Sequence, residues 1–272
     1  MPADETILLG AVAYDPRVVV IWEGIRDYFN NAGCPFDFVL FSNYERLVTA
    51  LLNGHIDIAW NTPLAHVRVQ QQTDGRSLSL GMRDSDRDFH SRLIVRKDSG
   101  IRGPLDLAGK TLAVGSRDST QARILPLYFL KQEGVDPDSV TLLAFDTDVG
   151  KHGDTGTSEL DVLESLRSGD AQAGTVGDLV WVLEQQAGHI DSGLMESVWT
   201  SPGFDHCMFD ALPDLDEGKI ERFRNALFNM SWDNPEHRRL LELEGLKEWM
   251  PPRESGYESL RAAIADQSDL LG

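Results

Sequence analysis

The sequence predicts an α/β fold of two similar halves, each a mostly parallel sheet flanked by helices. Three observations predict it. Up to Trp60, strand-like and helix-like runs alternate with short links, as in an open parallel sheet. Residues 51–59 (Leu-Leu-Asn-Gly-His-Ile-Asp-Ile-Ala) and 166–174 (Leu-Arg-Ser-Gly-Asp-Ala-Gln-Ala-Gly) share one design: helix end, glycine, short strand, helix start. Finally, the apolar run Thr111-Leu112-Ala113-Val114 passes through Gly115-Ser116-Arg117-Asp118-Ser119-Thr120-Gln121 into an amphipathic stretch, 122–131.

Each element follows from local pattern. Ile7–Val12 is an apolar strand, broken by Ala13-Tyr14-Asp15-Pro16. Val18–Phe29 places Val19, Trp22, Ile25 and Phe29 at helical spacing. Phe36–Leu40 is the second strand, and Ser42-Asn43-Tyr44-Glu45 resembles a capping box that opens a helix to Leu52. Ile56–Trp60 is the third strand, after which Asn61-Thr62-Pro63 starts a helix through Val69. Leu93-Ile94-Val95 and Val140–Ala144 are further strands, and 100–107 is a turn-rich link. A polar segment, 146–158, leads into a helix, 158–168, which Gly169 ends. Residues 197–202 read as an extended crossing between the halves, and 216–232, 234–250 and 254–271 as helices. The acidic stretches 84–88 and 210–217 read as solvated loops, and Trp249-Met250-Pro251 as packing.

At 272 residues, with 41% hydrophobic and 25% charged residues, the chain is an ordinary globular sequence except in charge. Its net charge of −19 argues against nucleic acid and anionic membranes as partners. A small anion would be repelled at long range, so any anion site must act through local hydrogen bonds. No run approaches the roughly 18 apolar residues of a membrane-spanning helix, so no membrane insertion is expected. The N-terminus, Met-Pro-Ala-Asp-Glu-Thr, shows no secretory pattern. The location is accordingly left open: periplasmic or cell-surface if a leader was removed, cytoplasmic if Met1 is the native start. Cys34 and Cys207 lie far apart without metal-type spacing, and whether they pair stays open.

The stretch after Val114 carries the chemistry. The first turn of a helix leaves backbone N–H groups without partners and concentrates partial positive charge there. Hydroxyls from Ser116, Ser119 and Thr120 add donors around the same point, which suits a small oxyanion without a lysine. The same pattern also serves simple capping, with Asp118 or Ser119 as N-cap. His90, His152 and His206 lack HxH or HxxxH spacing, so neither a metal nor a cofactor is expected. His206-Cys207 is no nucleophile pair if it lies on a strand, where neighbours point to opposite faces.

Four stretches within 7–232 carry a family resemblance. They are Asp57-Ile58-Ala59-Trp60 with the following helix start, Ser91–Ser99, Gly115–Thr120 through Pro126, and Ser201-Pro202-Gly203-Phe204-Asp205. In order and spacing they resemble the phosphate/phosphite/phosphonate-binding family of ABC-transporter substrate-binding proteins. The resemblance implies the type II periplasmic-binding fold, two α/β lobes joined by two crossing strands. Lobe 1 would comprise 1–94 plus 200–272, with the C-terminal helices folded back on it, and lobe 2 would comprise 95–199. It implies a non-catalytic protein that closes on a small oxyanion for an ABC-type uptake system, docking on a permease.

By position, the resemblance places Ser116, Ser119 and Thr120 on the phosphoryl oxygens, and Gln121 beside them is a further candidate ligand contact. Tyr44 matches a ligand-directed tyrosine, His152 lies near a ligand-facing histidine, Asp178 near a family glutamate, and Asp205 matches the acid of the return crossing. Carboxylates there would accept from a P–OH or pair with an amine on the ligand. Trp60 is either a cleft wall or core. Asn61, Thr62 and Phe89 complete the candidate set, and all three depart from the usual family pattern; Phe89 keeps a ring but lacks a hydroxyl. The rival reading is a cytoplasmic enzyme or ligand sensor on the same two-lobed fold, acting on a small organic acid.

Overall fold

A computed structural model describes residues 5–153 and 156–267. Residues 1–4, the pair 154–155 of the polar segment, and 268–272 at the end of the last expected helix lie outside the described residues. The chain opens with β1 (Ile7–Val12), α1 (Arg17–Asn31), β2 (Phe36–Phe41), α2 (Tyr44–Leu52), β3 (Ile58–Asn61), α3 (Pro63–Gln72) and β4 (Leu78–Arg83). Next come β5 (Ser91–Arg96), β6 (Thr111–Val114), α4 (Leu125–Gln132), β7 (Thr141–Ala144) and α5 (Thr157–Ser168). They are followed by β8 (Ala173–Gly177), α6 (Asp178–Gln186) and β9 (Met195–Thr200). The last elements are β10 (Met208–Ala211), α7 (Glu217–Phe228), α8 (Pro235–Glu244), β11 (Trp249–Met250) and α9 (Glu258–Asp266). None of the described helices is long and apolar enough to cross a membrane.

Two units divide these elements: unit 1 holds residues up to 87 and 205–255, and unit 2 holds 88–204 and the residues from 256. Unit 1 is a sheet in the order β11-β4-β10-β3-β1-β2. β1 pairs in parallel with β2 and β3, whereas β10 is antiparallel to β3 and β4. Both faces of β1 are covered, which is why it reads as an unbroken apolar run. Ile7 and Leu9 pack in one cluster with Trp22, Ile25 and Phe29 of α1. On the other face, a Cβ at Gly10 would lie 2.4 Å from Leu47 of α2 and 2.5 Å from Ile56.

Unit 2 is a sheet in the order β7-β6-β8-β5-β9. β6 is parallel to β7 and β8, and β5 is antiparallel to β8 and β9. Val162 and Leu166 of α5 cover one face, and Leu130 of α4 covers the other. The chain leaves β6 for β7 on one side and returns as β8 on the other. This reversal is the place where open α/β sheets carry ligands, outside the carboxyl ends of their strands. The α/β fold of two sheets stands, with each sheet mixed: three parallel-paired strands at one side and antiparallel pairings at the other.

Several sequence expectations need correction. The units meet at 87/88, 204/205 and 255/256, not at 94/95 and 199/200. The reason is β5, which bonds β8 from Ser91↔Gly177 to Val95↔Ala173 and so belongs wholly to the unit 2 sheet. Phe89 and Phe204 exchange backbone bonds of 2.8 and 2.9 Å where the chain enters and leaves that unit. The last helix also differs: Lys131 of α4 holds Asp266 of α9 at 2.7 Å, placing α9 in unit 2. The stretch 84–88 is not simply a solvated loop. Asp86 is fully buried, its oxygens taken by Arg83 Nε at 2.8 Å and Nη2 at 2.7 Å. The stretch 210–217 likewise begins inside β10, where Asp210 is fully buried. In unit 1, Cys34 and Cys207 remain buried thiols and form no disulfide.

Asp210 anchors a charged network in unit 1. His66 of α3 places Nδ1 2.8 Å from Asp210 Oδ1 and Nε2 3.6 Å from Glu254 Oε2. Asn61 Nδ2 donates to the other Asp210 oxygen at 2.8 Å. Burial would depress the imidazole, but the charge and hydrogen bond of Asp210, then Glu254, outweigh it and raise His66 to about 9. A histidine raised in the folded state contributes stability that is complete below its unfolded pKa, about 6.5, and lost as pH rises through the folded value. Denaturant unfolding should therefore show stability declining from pH 6.5 to 9.5, with the slope flattened in His66→Gln. Identical slopes would exclude this network as the cause.

Candidate functional site

The site is built where β6 runs into a helix start. Ser119 is the N-cap: its Oγ accepts from Ala122 N at 3.0 Å. The first turn, Thr120–Ile124, is a π-turn closed by Ile124 N bonding Ser119 O at 2.9 Å, and α4 continues from it. Pro126, four residues on, has no N–H to offer the Ala122 carbonyl, which accepts from Gly115 N at 3.1 Å and from Thr175 Oγ1 of β8 at 2.7 Å. Turns of the π type concentrate at functional sites because they re-aim backbone groups. Gly115 permits the approach, since a Cβ there would sit 2.7 Å from the Ala122 Cβ and 3.2 Å from Ser158 Oγ.

Within this loop, the Ser116 backbone N–H is held by Ser158 Oγ at 3.2 Å, and Ser116 O accepts from Ser119 N at 2.9 Å. Ser116 is fully buried, yet its hydroxyl has no hydrogen-bond partner among the described residues. Leaving such a group unsatisfied costs about 1–3 kcal/mol. Ser119 and Thr120 are buried beside it, and the Thr120 N–H belongs to the first turn, where no intrahelical acceptor exists. The anchors around the loop are acidic: Arg117 N donates to Asp146 at 2.8 Å, and Gly150 N donates to Asp118 at 2.6 Å.

Behind this loop lies Glu159 of α5, fully buried. It accepts from Gly177 N at 2.5 Å and from Gln121 Nε2 at 3.1 Å. Gln121 Nε2 also donates to Gly153 O at 2.7 Å, so its side-chain donors serve the unit itself. His152, 4% exposed, places Nε2 3.5 Å from Glu159. Phe89 packs on Phe204 with ring centroids 5.7 Å apart and lies against Gly177, where a Cβ would be 2.9 Å from its ring. Asp178, the first residue of α6, donates its backbone N–H to His90 O at 2.9 Å, and its carboxylate accepts from Arg92 Nε. Unit 2 thus gathers Phe89, Ser116, Ser119, Thr120, Gln121, His152 and Asp178 at one end of its sheet.

The remaining candidates lie in unit 1. Tyr44 begins α2 and packs with Val12 and Leu47. Trp60 is in the core, stacked on Phe209 at 4.2 Å and edge-on to Trp249 at 5.8 Å, with the Arg83 guanidinium 5.5 Å from its ring. Asn61 holds Asp210, while Thr62 is the N-cap of α3 without a side-chain cap bond. Asp205, 1% exposed, accepts from Arg253 Nε at 2.8 Å and from Nη2 of the same guanidinium.

Arg92, Arg253, Ser158 and Glu159 were not singled out by the sequence. Glu159 stands in a helix's first turn, where an acid ordinarily serves the dipole from the surface, and no spacing marks it as buried. His206 and Cys207 also differ from expectation: their side chains meet, Nδ1 to Sγ at 3.1 Å. They precede β10 and so escape the alternation of a strand. With Asp86 they form a buried cluster of metal-ligand types, but the Arg83 guanidinium already occupies both Asp86 oxygens. Gly115→Ala should cost about 1–3 kcal/mol by overpacking the helix start, read by denaturant unfolding. An unchanged midpoint would show that the loop does not need the close approach.

The sequence profile of the family described as ABC transporter, phosphonate, periplasmic substrate-binding protein matches residues 11–257. The probable ABC transporter phosphite binding protein PhnD1 of Prochlorococcus marinus (strain MIT 9301) is 25% identical over 228 residues, 80% of this chain and 74% of that protein. The structure of PhnD1 from Prochlorococcus marinus in complex with methylphosphonate is similar at a TM-score of 0.77 and 20% identity, covering 97% of this chain and 98% of that one. XAC2383 from Xanthomonas citri bound to ATP is similar at a TM-score of 0.74 and 17% identity, covering 98% of each. At these identities the structural likeness establishes the fold, and the profile establishes the family. The chain belongs to the phosphonate periplasmic substrate-binding proteins of ABC transporters.

Proposed function

We propose that this chain binds a small phosphorus oxyanion, phosphate-, phosphite- or phosphonate-like, on the cradle at 115–121, and hands it to an ABC permease. The observation that carries the reading is the Ser116 hydroxyl, fully buried at a helix start and without a hydrogen-bond partner among the described residues. A donor kept in that state is costly unless a ligand completes it. Ser119 and Thr120 hydroxyls, and the first-turn N–H groups, supply further donors to unprotonated oxygens, and the helix end adds partial positive charge. Family membership supports the ligand class, as does the name of the PhnD1 relative, a probable phosphite binding protein.

This reading separates affinity from stability in one variant. Ser116→Ala removes a hydroxyl that has no partner among the described residues, so the melting temperature of the unliganded protein should stay level or rise. Calorimetric affinity for whichever of phosphite, methylphosphonate or phosphate binds the wild type should fall at least tenfold, about 1.4 kcal/mol. Unchanged affinity would rule the cradle out.

A further inference from the structure

Beside the cradle stands a carboxylate that its own unit has already neutralised. β6 and β8 are parallel, with Ala113 opposite Gly174. Three residues further along each chain come Ser116 and Gly177, and Asp178 follows Gly177 directly. Side-chain contact agrees with the register: a Cβ on Gly177 would lie 2.8 Å from Gln121 Cγ, in the first turn of the cradle helix. Asp178 is therefore a neighbour of the cradle on evidence internal to unit 2.

An open carboxylate in that position would repel a doubly charged oxyanion and favour a ligand that brings its own cation. Here the carboxylate is held by Arg92 Nε, from the strand paired with β8, and Arg92 Nη1 reaches Thr200 Oγ1 at 3.4 Å. The two side chains are 29% and 24% exposed, so the pair reaches the surface. An ammonium group would have to displace a guanidinium already in place, whereas a bare oxyanion meets a neutral pair. Of the other acids near the cradle, Glu159 is fully buried and accepts from Gly177 N and Gln121 Nε2, while Asp118, Asp146 and Asp148 accept backbone N–H bonds from Gly150, Arg117 and Ser158.

We infer that Arg92 sets the ligand class of this site: a compact phosphorus oxyanion that carries no ammonium group. The inference rests on the cradle reading above, and its test keeps the two apart. Methylphosphonate and 2-aminoethylphosphonate share a headgroup and differ in the ammonium arm. Calorimetric titration of the wild-type chain with each should give at least a tenfold preference for methylphosphonate. Arg92→Gln, which frees Asp178, should shrink that ratio at least tenfold, and Arg92→Lys should largely restore it. Asp178→Asn, which removes the acid and leaves the cation, should keep the preference, so a second variant reads the same question if Arg92→Gln does not fold. A wild-type preference for the amine, or a ratio indifferent to Arg92→Gln while methylphosphonate still binds, would overturn this inference alone. Failure of the wild type to bind phosphite, methylphosphonate and phosphate would overturn the cradle reading and this inference with it.

Discussion

The site in unit 2 depends on where one carbonyl goes. Ala122 O gets no bond from the residue four positions on, because that residue is Pro126 and has no N–H. Instead it is shared between Gly115 N and Thr175 Oγ1, tying the helix start to the ends of two adjacent parallel strands. That pair of bonds fixes the direction of the first turn, and hence of its N–H groups. It also forces the close approach that only a glycine at 115 allows. Ser116 is then enclosed between Ser158 and the turn, with its hydroxyl unpartnered among the described residues.

A second theme is how a chain of net charge −19 treats its buried and half-buried acids. Asp86 is held by Arg83, Asp205 by Arg253, Asp178 by Arg92 and Asp210 by His66. Pairing is what makes such burial tolerable, and removing the cation is more disruptive than removing the pair. For a protein that handles anions the consequence is direct. Neutralised acids near a cradle do not oppose an oxyanion, and the surface charge contributes long-range repulsion that local donors must overcome.

Local pattern made much of this legible. The run from Thr111 to Gln121 announced a strand, a tight glycine and a capped helix, and Ser119 is the cap. The paired helix–glycine–strand echoes at 51–59 and 166–174 correspond to Gly54 and Gly169, both at positive φ between a helix and a strand. What escaped was decided by partners distant in sequence. Arg92 and Asp178 are 86 residues apart, and Asp205 and Arg253 are 48 apart, so neither pair leaves a local trace. Asp210 looked like a solvated acid because nothing nearby in sequence reveals His66 arriving from α3, whereas Asp86 has its partner Arg83 only three residues away, a spacing that serves a surface pair equally well. β4 and β10 were overlooked for the same reason: Gly81, Arg83 and Asp210 interrupt their apolar pattern.

The central claim is that ligand donors come from residues 115–121. It is tested most directly by recording backbone amide resonances of the isotope-labelled chain during a titration with methylphosphonate. The account predicts saturable shifts that are largest at Ser116, Ser119, Thr120 and Gln121, because their N–H groups and hydroxyls receive the oxyanion. Saturable shifts that leave 115–121 unmoved would contradict it.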